Sequence, residues 1–169
     1  MSSTFRAPIK VIADILQHEL DLADGHIMTT GQKWNIPNSA GLYVALSYMG
    51  SSKVICTSSK FDPNTNSETQ TATTLSGIQI DVMSFDNSSR DRKEEIAMAL
   101  GSIYAQQVQE RYQCQVARLP GPFLDTSFIE GSGILKRFTS NISVTALFSK
   151  EKVVEYFDQF SKPETTFNK

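Results

Sequence analysis

Residues 68–83, ETQTATTLSGIQIDVM, alternate between two kinds of side chain and decide the fold class of this chain. Threonine occupies every second position from 69 to 73, and Ile78, Ile80 and Val82 then alternate with other side chains. A period of two with β-branched residues on one side is typical of a β-strand whose one face is buried. The stretch therefore predicts a long strand, the clearest one in the sequence.

Two amphipathic segments flank this strand at a distance in the sequence. Apolar residues recur every three or four positions from Ile9 to Ala23, which predicts a helix. Pro8 suits its first turn and Gly25 suits its end. The same spacing predicts one continuous second helix over about residues 90–112, roughly 33 Å long.

The remaining extended segments complete the predicted sheet. Residues 41–48 and 53–58 predict a β-hairpin, 114–119 a short strand and 134–149 a long one. Aromatic and β-branched side chains favour a last strand over a short helix at 152–160. Because strands mostly follow one another, we expect an α+β fold, a mostly antiparallel sheet of about five strands with two amphipathic helices packed on it.

Length and composition predict a single domain over residues 1–169, with an ordered core at about 8–160 and a polar C-terminal tail at 161–169. The net charge is −2, which argues against a protein that coats nucleic acid through clustered positive charge. No run approaches the ~18 apolar residues of a membrane helix, and the first ten residues lack the apolar segment of a secretory signal. We therefore expect no membrane association and no secretion.

The sequence lacks the short motifs that carry catalysis or cofactor binding. None of the patterns GxxxxGKS/T, GxGxxG, HExxH and GxSxG is present. His18 and His26 have no third metal ligand at a suitable spacing. Cys56 and Cys114 are interpreted as two buried, reduced thiols, although a disulfide between them stays open. We expect no catalytic residues, no cofactor and no metal.

Two segments are long for a compact domain of this size, the threonine-rich arm at 68–76 and the loop at 120–133. Apolar side chains in such a loop need burial, and a neighbouring subunit can supply it. Paired basic residues follow the loop, and such pairs serve either surface solubility or ion pairs with a neighbouring chain. The predicted subunit or partner interface comprises Thr71, Thr73, Phe123, Leu124, Phe128, Ile129, Lys136 and Arg137.

Three local patterns appear in a suggestive order after the N-terminal helix. A strand ends in IQIDVMSFD, a helix opens with NSSRDRKEEIAMAL, and the loop FLDTSFIEGS precedes a strand of the form KRFTSNISVTALF. In this plan the chain resembles the bacteriophage neck or tail terminator proteins over about residues 8–160. The resemblance implies a structural virion protein, assembled in the host cytoplasm, that forms a homo-oligomeric ring, a hexamer.

The resemblance also implies partners. Such a ring caps the tail tube, ends its polymerisation and offers the head–tail joining surface. Its partners would be copies of itself, the tail-tube protein and a head-completion or connector protein, with the sheath protein as a further candidate. DNA would pass through the lumen without specific binding. The role of the threonine-rich arm stays open.

Other functions compete with this expectation. The nearest is another head–tail connector, tail-tube or baseplate component. A small-ligand-binding α+β domain is a second class. A hydrolase rests only on Asp125 and Glu130 in the loop, with no recognisable base or nucleophile beside them.

Overall fold

The structure is a computed structural model that describes residues 6–29, 41–130 and 133–154, apart from the side chains of Arg118, Ile129 and Glu130. Its elements, in chain order, are α1 (Pro8–Glu19), β1 (Ile27–Thr29), β2 (Tyr43–Tyr48), β3 (Lys53–Asp62), β4 (Ser67–Ser84), α2 (Ser88–Arg92), α3 (Glu95–Leu100), α4 (Ile103–Arg111), β5 (Cys114–Arg118), β6 (Leu124–Asp125), β7 (Phe128–Glu130) and β8 (Gly133–Val153). The predicted last element at 152–160 thus starts inside β8, while residues 155–160 and the predicted tail at 161–169 lie outside the described residues.

Strands β4 and β8 form the centre of the sheet and pair antiparallel along all 18 residues of β4. Strands β2 and β3 lie end to end on the other side of β4, against residues 78–83 and 67–75 respectively. Strand β1 runs parallel to β2. Strands β5, β6 and β7 pair antiparallel with β8.

The expectation of a mostly antiparallel sheet of about five strands with two helices is wrong, although the α+β class broadly fits. The sheet is mixed, because β1 and β2 are parallel, and the described chain contributes eight strands to it. The predicted hairpin between 41–48 and 53–58 does not form, because β4 is long enough to pair with both segments in turn. The predicted loop at 120–133 supplies two short strands to the edge of β8.

The predicted long helix at 90–112 is divided into three short ones. The carboxylate of Asp86 accepts a hydrogen bond from the N–H of Ser88 at 2.8 Å, at the start of α2. After α3 the chain turns at Gly101, and the hydroxyl of Ser102 accepts the N–H of Ala105 at 3.0 Å to begin α4. A side-chain cap inside an apolar repeat starts a new helix, which the three-to-four-residue spacing alone does not reveal.

The main core lies between one face of the sheet and helices α1, α3 and α4. Its buried side chains include Ile12, Leu16, Ile78, Ile80, Val82, Ile96, Val108, Ile142 and Val144. The opposite face of the sheet carries a smaller cluster of Tyr43, Met83 and Leu135, in which the described chain places no helical residue. None of the described helices combines the length and the apolar character needed to cross a membrane.

Candidate interaction surface

A ribbon of three strands projects past the helices. The ribbon consists of β3, residues 67–75 of β4 and residues 145–153 of β8. Just after α4, the carbonyl of Gln113 accepts the N–H of Leu147 at 2.9 Å. From Leu147, β8 continues to Val153, which spans about 20 Å at roughly 3.4 Å per residue. The predicted threonine-rich arm is the central strand of this ribbon.

Strand β3 exposes nearly all of its side chains, including large apolar ones. Every residue of β3 is exposed except Asp62, which is half-buried. Val54 and Ile55 each leave more than half of their side-chain surface uncovered, 56% and 53%. Large β-branched side chains rarely stay this exposed together on a monomer, so the ribbon offers a contact surface.

The structure corrects the interpretation of the cysteines. Cys114 is buried in the main core, whereas Cys56 lies exposed on β3. Burial raises the pKa of the Cys114 thiol to about 11. The sequence pattern around Cys56 predicts a strand, which is right. Because this strand lies at the edge of the projecting ribbon and does not pack in the core, the Cys56 side chain stays exposed.

One face of the ribbon carries rows of hydroxyl and other small polar side chains, and we call it the polar face. Alternate residues of a strand share a face, so Thr69, Thr71 and Thr73 lie together here with their cross-strand partners. The hydroxyls of Ser58 and Thr71 hydrogen-bond at 2.6 Å across β3 and β4. The two predicted interface threonines, Thr71 and Thr73, are therefore half-buried members of a polar surface.

A buried carboxylate lies on the same side of the sheet but in the body, at the level of β6. Asp81 on β4 accepts hydrogen bonds from the Arg137 guanidinium at 2.7 Å, the Thr139 hydroxyl at 2.6 Å and the Gln79 amide at 3.0 Å. The Asp81 side chain is 8% exposed and that of Arg137 is 31% exposed. Arg137, predicted as an interface residue, thus makes its main contact within its own chain.

A second group of exposed apolar side chains lies at the far end of β8, along β6 and β7. Leu124 and Phe128 are exposed by 65% and 43%, and Ile134 by 58%. Phe123 instead packs against the main core of its own chain. The side chain of Ile129 lies outside the described residues.

The predicted interface residues therefore fall into two separate groups. Leu124 pairs with Thr139 and Thr73 pairs with Leu147, so the groups are eight residues apart along β8. Eight residues of strand correspond to about 27 Å. Lys136 lies near the second group, where its ammonium contacts the side-chain oxygen of Asn87.

An open groove of about 1380 Å³ lies between the ribbon and the C-terminal end of α4. Ala72, Phe148 and Val153 contribute apolar surface to it, and Tyr112 contributes its ring from the α4 side. Charged side chains of both signs, Glu68 and Lys150 among them, line the rest. The groove has the mixed character of a protein-contact surface.

The histidine and acidic side chains of the described residues are spread over the chain rather than gathered in one place. No cluster of three or more histidine, cysteine or acidic side chains occurs among them. His18 stacks on Tyr104 with ring centroids 3.8 Å apart, and His26 stacks on Tyr43 at 4.5 Å. The side chain and N–H of Ser127 hydrogen-bond to Asp125 and hold the pKa of that carboxyl below its usual range.

Sequence reasoning missed the part of the ribbon contributed by β3. The run KVIC at 53–56 predicts a strand, and apolar residues in a strand are normally assigned to the core. The polar run that follows it, TSSK at 57–60, was the available signal, because such a composition does not suit a buried strand.

Comparison of the chain with models of known protein families finds no match, and comparison with curated proteins finds none.

Proposed function

We propose that this protein is a non-enzymatic structural protein of a bacteriophage virion, a tail terminator whose copies form a ring, a hexamer, at the neck. The ring caps the tail tube, stops its polymerisation and presents the surface to which the head-completion protein binds. The observation that carries the proposal is the projecting ribbon, whose exposed apolar side chains and long strands suit contacts with neighbouring copies.

The ribbon supports self-association because it offers extended surface without a core of its own. Val54, Ile55 and Val153 are each more than half exposed. Burying such side chains against another copy gains roughly 25 cal/mol for each Å² of apolar surface removed from water. Heterologous contacts of this kind close into a ring when the rotation between copies permits it, and a closed ring can end an open polymer.

The polar face supports a lumen through which DNA moves without sticking. Beside its small hydroxyl side chains this face carries a few charges of both signs, among them Lys60 and Glu151. Tight non-specific binding to DNA needs a cluster of positive charge that releases counterions. A mixed, weakly charged face lacks that driving force, so the proposed lumen is lined by this face.

The exposed group at β6 and β7 suits a contact with another virion protein. Along β8, Leu124 lies about 27 Å and Phe128 about 41 Å from the ribbon's central residues. Two distant apolar surfaces allow one protomer to contact a neighbouring copy and a different partner at once. We assign this second surface to the tail-tube protein or the head-completion protein.

Another head–tail connector, tail-tube or baseplate component would use the same features and remains the nearest alternative. The groove beside α4 is the one observation that favours a small-ligand-binding α+β domain. Light scattering during size-exclusion chromatography, followed by electron microscopy of the peak, separates these functions. A ring is expected, and a strict monomer at every concentration would contradict the proposal.

A double substitution tests the second surface. Leu124→Ser with Phe128→Ser should leave the ring intact but abolish attachment to tail tubes, because both side chains are exposed in the isolated chain. The matched control replaces Met98 and Ile103, which are 74% and 75% exposed on α3 and α4, with serine. Attachment is measured by co-sedimentation with tubes of the phage that encodes the chain. Equal loss of attachment in both variants would refute the assignment of this surface.

A further inference from the structure

One face of the ribbon continues the face of the sheet that the helices cover. Alternate residues of a strand share a face, so Ala72 on β4 lies on the same side as Ile78 and Ile80 of the main core. Phe148, the β8 partner of Ala72, packs against that core. Helix α4 ends at Arg111, and beyond it this face forms the floor of the groove. Within the described chain, the helical layer thus stops short of the ribbon.

The size of the groove suits a segment of polypeptide better than one small ligand. Pockets for small ligands hold about 300–1,000 Å³ and enclose most of the ligand, whereas this open groove holds about 1380 Å³. Tyr112 and Phe148 offer aromatic rings to it, and Ala72 adds only a methyl group to its floor. Aromatic side chains of an incoming segment can pack on such a floor with their edges against the two rings.

The chain itself supplies a segment beside the groove. Val154, the last described residue, lies at the tip of the ribbon, where its N–H donates to the carbonyl of Asn66 at 2.9 Å. From Val154 back to Leu147, next to the end of α4, β8 spans about 24 Å. The sequence continues with fifteen residues, EYFDQFSKPETTFNK at 155–169, which reach about 50 Å when extended. The segment is therefore long enough to turn back at the tip and cover the groove.

The apolar content of this segment matches the floor of the groove. Tyr156, Phe157 and Phe160 place three aromatic side chains within five residues. An aromatic side chain removes roughly 150–250 Å² from water when it is buried. A groove of this volume beside Ala72 and Phe148 offers these side chains a place to be covered.

The charges of the segment match the strand nearest to it. The charged residues that line the groove are Glu68, Glu110, Arg111, Lys150 and Glu151. By strand alternation Lys150 and Lys152 share the floor with Phe148, whereas Glu151 between them belongs to the polar face. The first six residues after Val154, EYFDQF, contain two acids and no base. An acidic, aromatic run thus leaves the ribbon beside the basic part of the groove.

We propose that residues 155–169 turn back at the tip of the ribbon and dock in the groove of their own chain, with the aromatic side chains of 156–160 on Ala72 and Phe148. The docked segment supplies the layer that the helices leave out. It packs on a face of the ribbon and needs no strand edge, so β5 and Gln113 keep their places beside β8. This goes beyond the proposed function and holds for a single copy. A groove filled in this way is closed to a small ligand.

Digestion of the full-length chain with chymotrypsin tests the docking, because cleavage after Phe157 or Phe160 follows the fraction of released segment. Ala72→Lys places a charged side chain on the floor and should accelerate cleavage in the segment about tenfold. Thr71→Lys is the matched control, since it changes the neighbouring half-buried position on the polar face, and it should keep the wild-type rate. Mass spectrometry identifies the released fragment. Equal acceleration by both variants, or wild-type cleavage as fast as that of Ala72→Lys, would overturn the proposal.

Photocrosslinking gives a second readout that leaves the groove unchanged. Phe157→p-benzoylphenylalanine should on irradiation join position 157 to peptides that contain Tyr112 or Phe148, in a product that migrates as a monomer. The same replacement at Phe128, on the far edge of β8, should not reach these peptides. Crosslinks to the polar face, or a failure to crosslink to the chain, would overturn the proposal.

The crosslinked product also identifies the chain that supplies the segment. A covalent dimer joined through the same peptides would show that the segment occupies the groove of a neighbouring copy, which would overturn docking within one chain. Both measurements are independent of ring formation. A protein that stays monomeric yet shows the expected cleavage and crosslinks would contradict the ring and support the docked segment.

Discussion

Replacement of Asp81 by asparagine should destabilise the fold, because it removes a buried charge from a hydrogen-bonded group. The carboxylate accepts hydrogen bonds from Arg137, Thr139 and Gln79. Its side chain is only 8% exposed, and the structure gives the buried Nε of Arg137 no hydrogen-bond partner within the described chain. Arg137 would keep a positive charge while its ion-pair partner Asp81 is neutralised.

The expected magnitude follows from the exposure of the two partners. Removing one partner of a fully buried ion pair costs about 3–5 kcal/mol, and a charged hydrogen bond contributes roughly 1.5–3 kcal/mol. Arg137 is 31% exposed, so water compensates part of the loss and we expect about 2 kcal/mol. For a chain of this length that corresponds to a fall in Tm of about 4–8 °C.

Urea unfolding followed by circular dichroism measures this loss. A cycle of Asp81→Asn, Arg137→Met and the double variant should give a coupling free energy of about 1 kcal/mol or more. Asp125→Asn is the control, because that carboxylate is exposed and the asparagine oxygen can still accept the hydrogen bonds from Ser127, so the free energy of unfolding should change by less than about 0.5 kcal/mol. An Asp81→Asn midpoint equal to wild type, or zero coupling with Arg137, would refute the reasoning.

Two further predictions concern single titratable groups. Hydrogen bonds from Ser88 hold the pKa of the Asp86 carboxyl below its usual range, so the ionised form stabilises the fold above the unfolded pKa and this contribution is lost as the pH falls through the folded pKa. Asp86→Ala should therefore lower the free energy of unfolding, measured with urea, by at most about 1 kcal/mol at pH 7. The difference between the variant and wild type should shrink below about pH 4. A difference independent of pH would contradict this. Monomeric protein at pH 8 should show one fast thiol, Cys56, towards a disulfide reagent and a second only in urea, because Cys114 is buried with a pKa of about 11. Two fast thiols, or a fast thiol that survives Cys56→Ser, would disprove this.

Local pattern was sufficient for the elements whose formation is local. The predicted first helix and the strands at 68–83 and 134–149 are present as α1, β4 and β8. Their periodic side chains indicate which face is buried. Pro8 begins α1 as expected, whereas the helix ends at Glu19, before the predicted stop at Gly25. Of the candidate interface residues, Thr71 and Thr73 lie on the ribbon and Leu124 and Phe128 on the exposed edge, while their part in an interface stays a prediction. These outcomes need no knowledge of the partner strand.

Strand pairing and exposure depended on the tertiary structure. Residues 41–48 and 53–58 are hairpin neighbours in sequence, yet both pair with β4, because its 18 residues provide more hydrogen-bonding groups than either could offer the other. The number of strands and the parallel β1–β2 pair follow from such long-range choices. Short-range periodicity contains no information about them.

The sequence by itself determined the α+β class, the main strands and the side of each that meets the core, since these depend on the order of neighbouring side chains. Only the tertiary structure decided that β3 and the distal part of β8 extend past the helices, so that Ile55 and Cys56 are exposed and Phe123 is not. The physical reason is that burial belongs to a position in three dimensions. A strand forms from its own residues, but whether its apolar side chains are covered depends on where the helical layer ends.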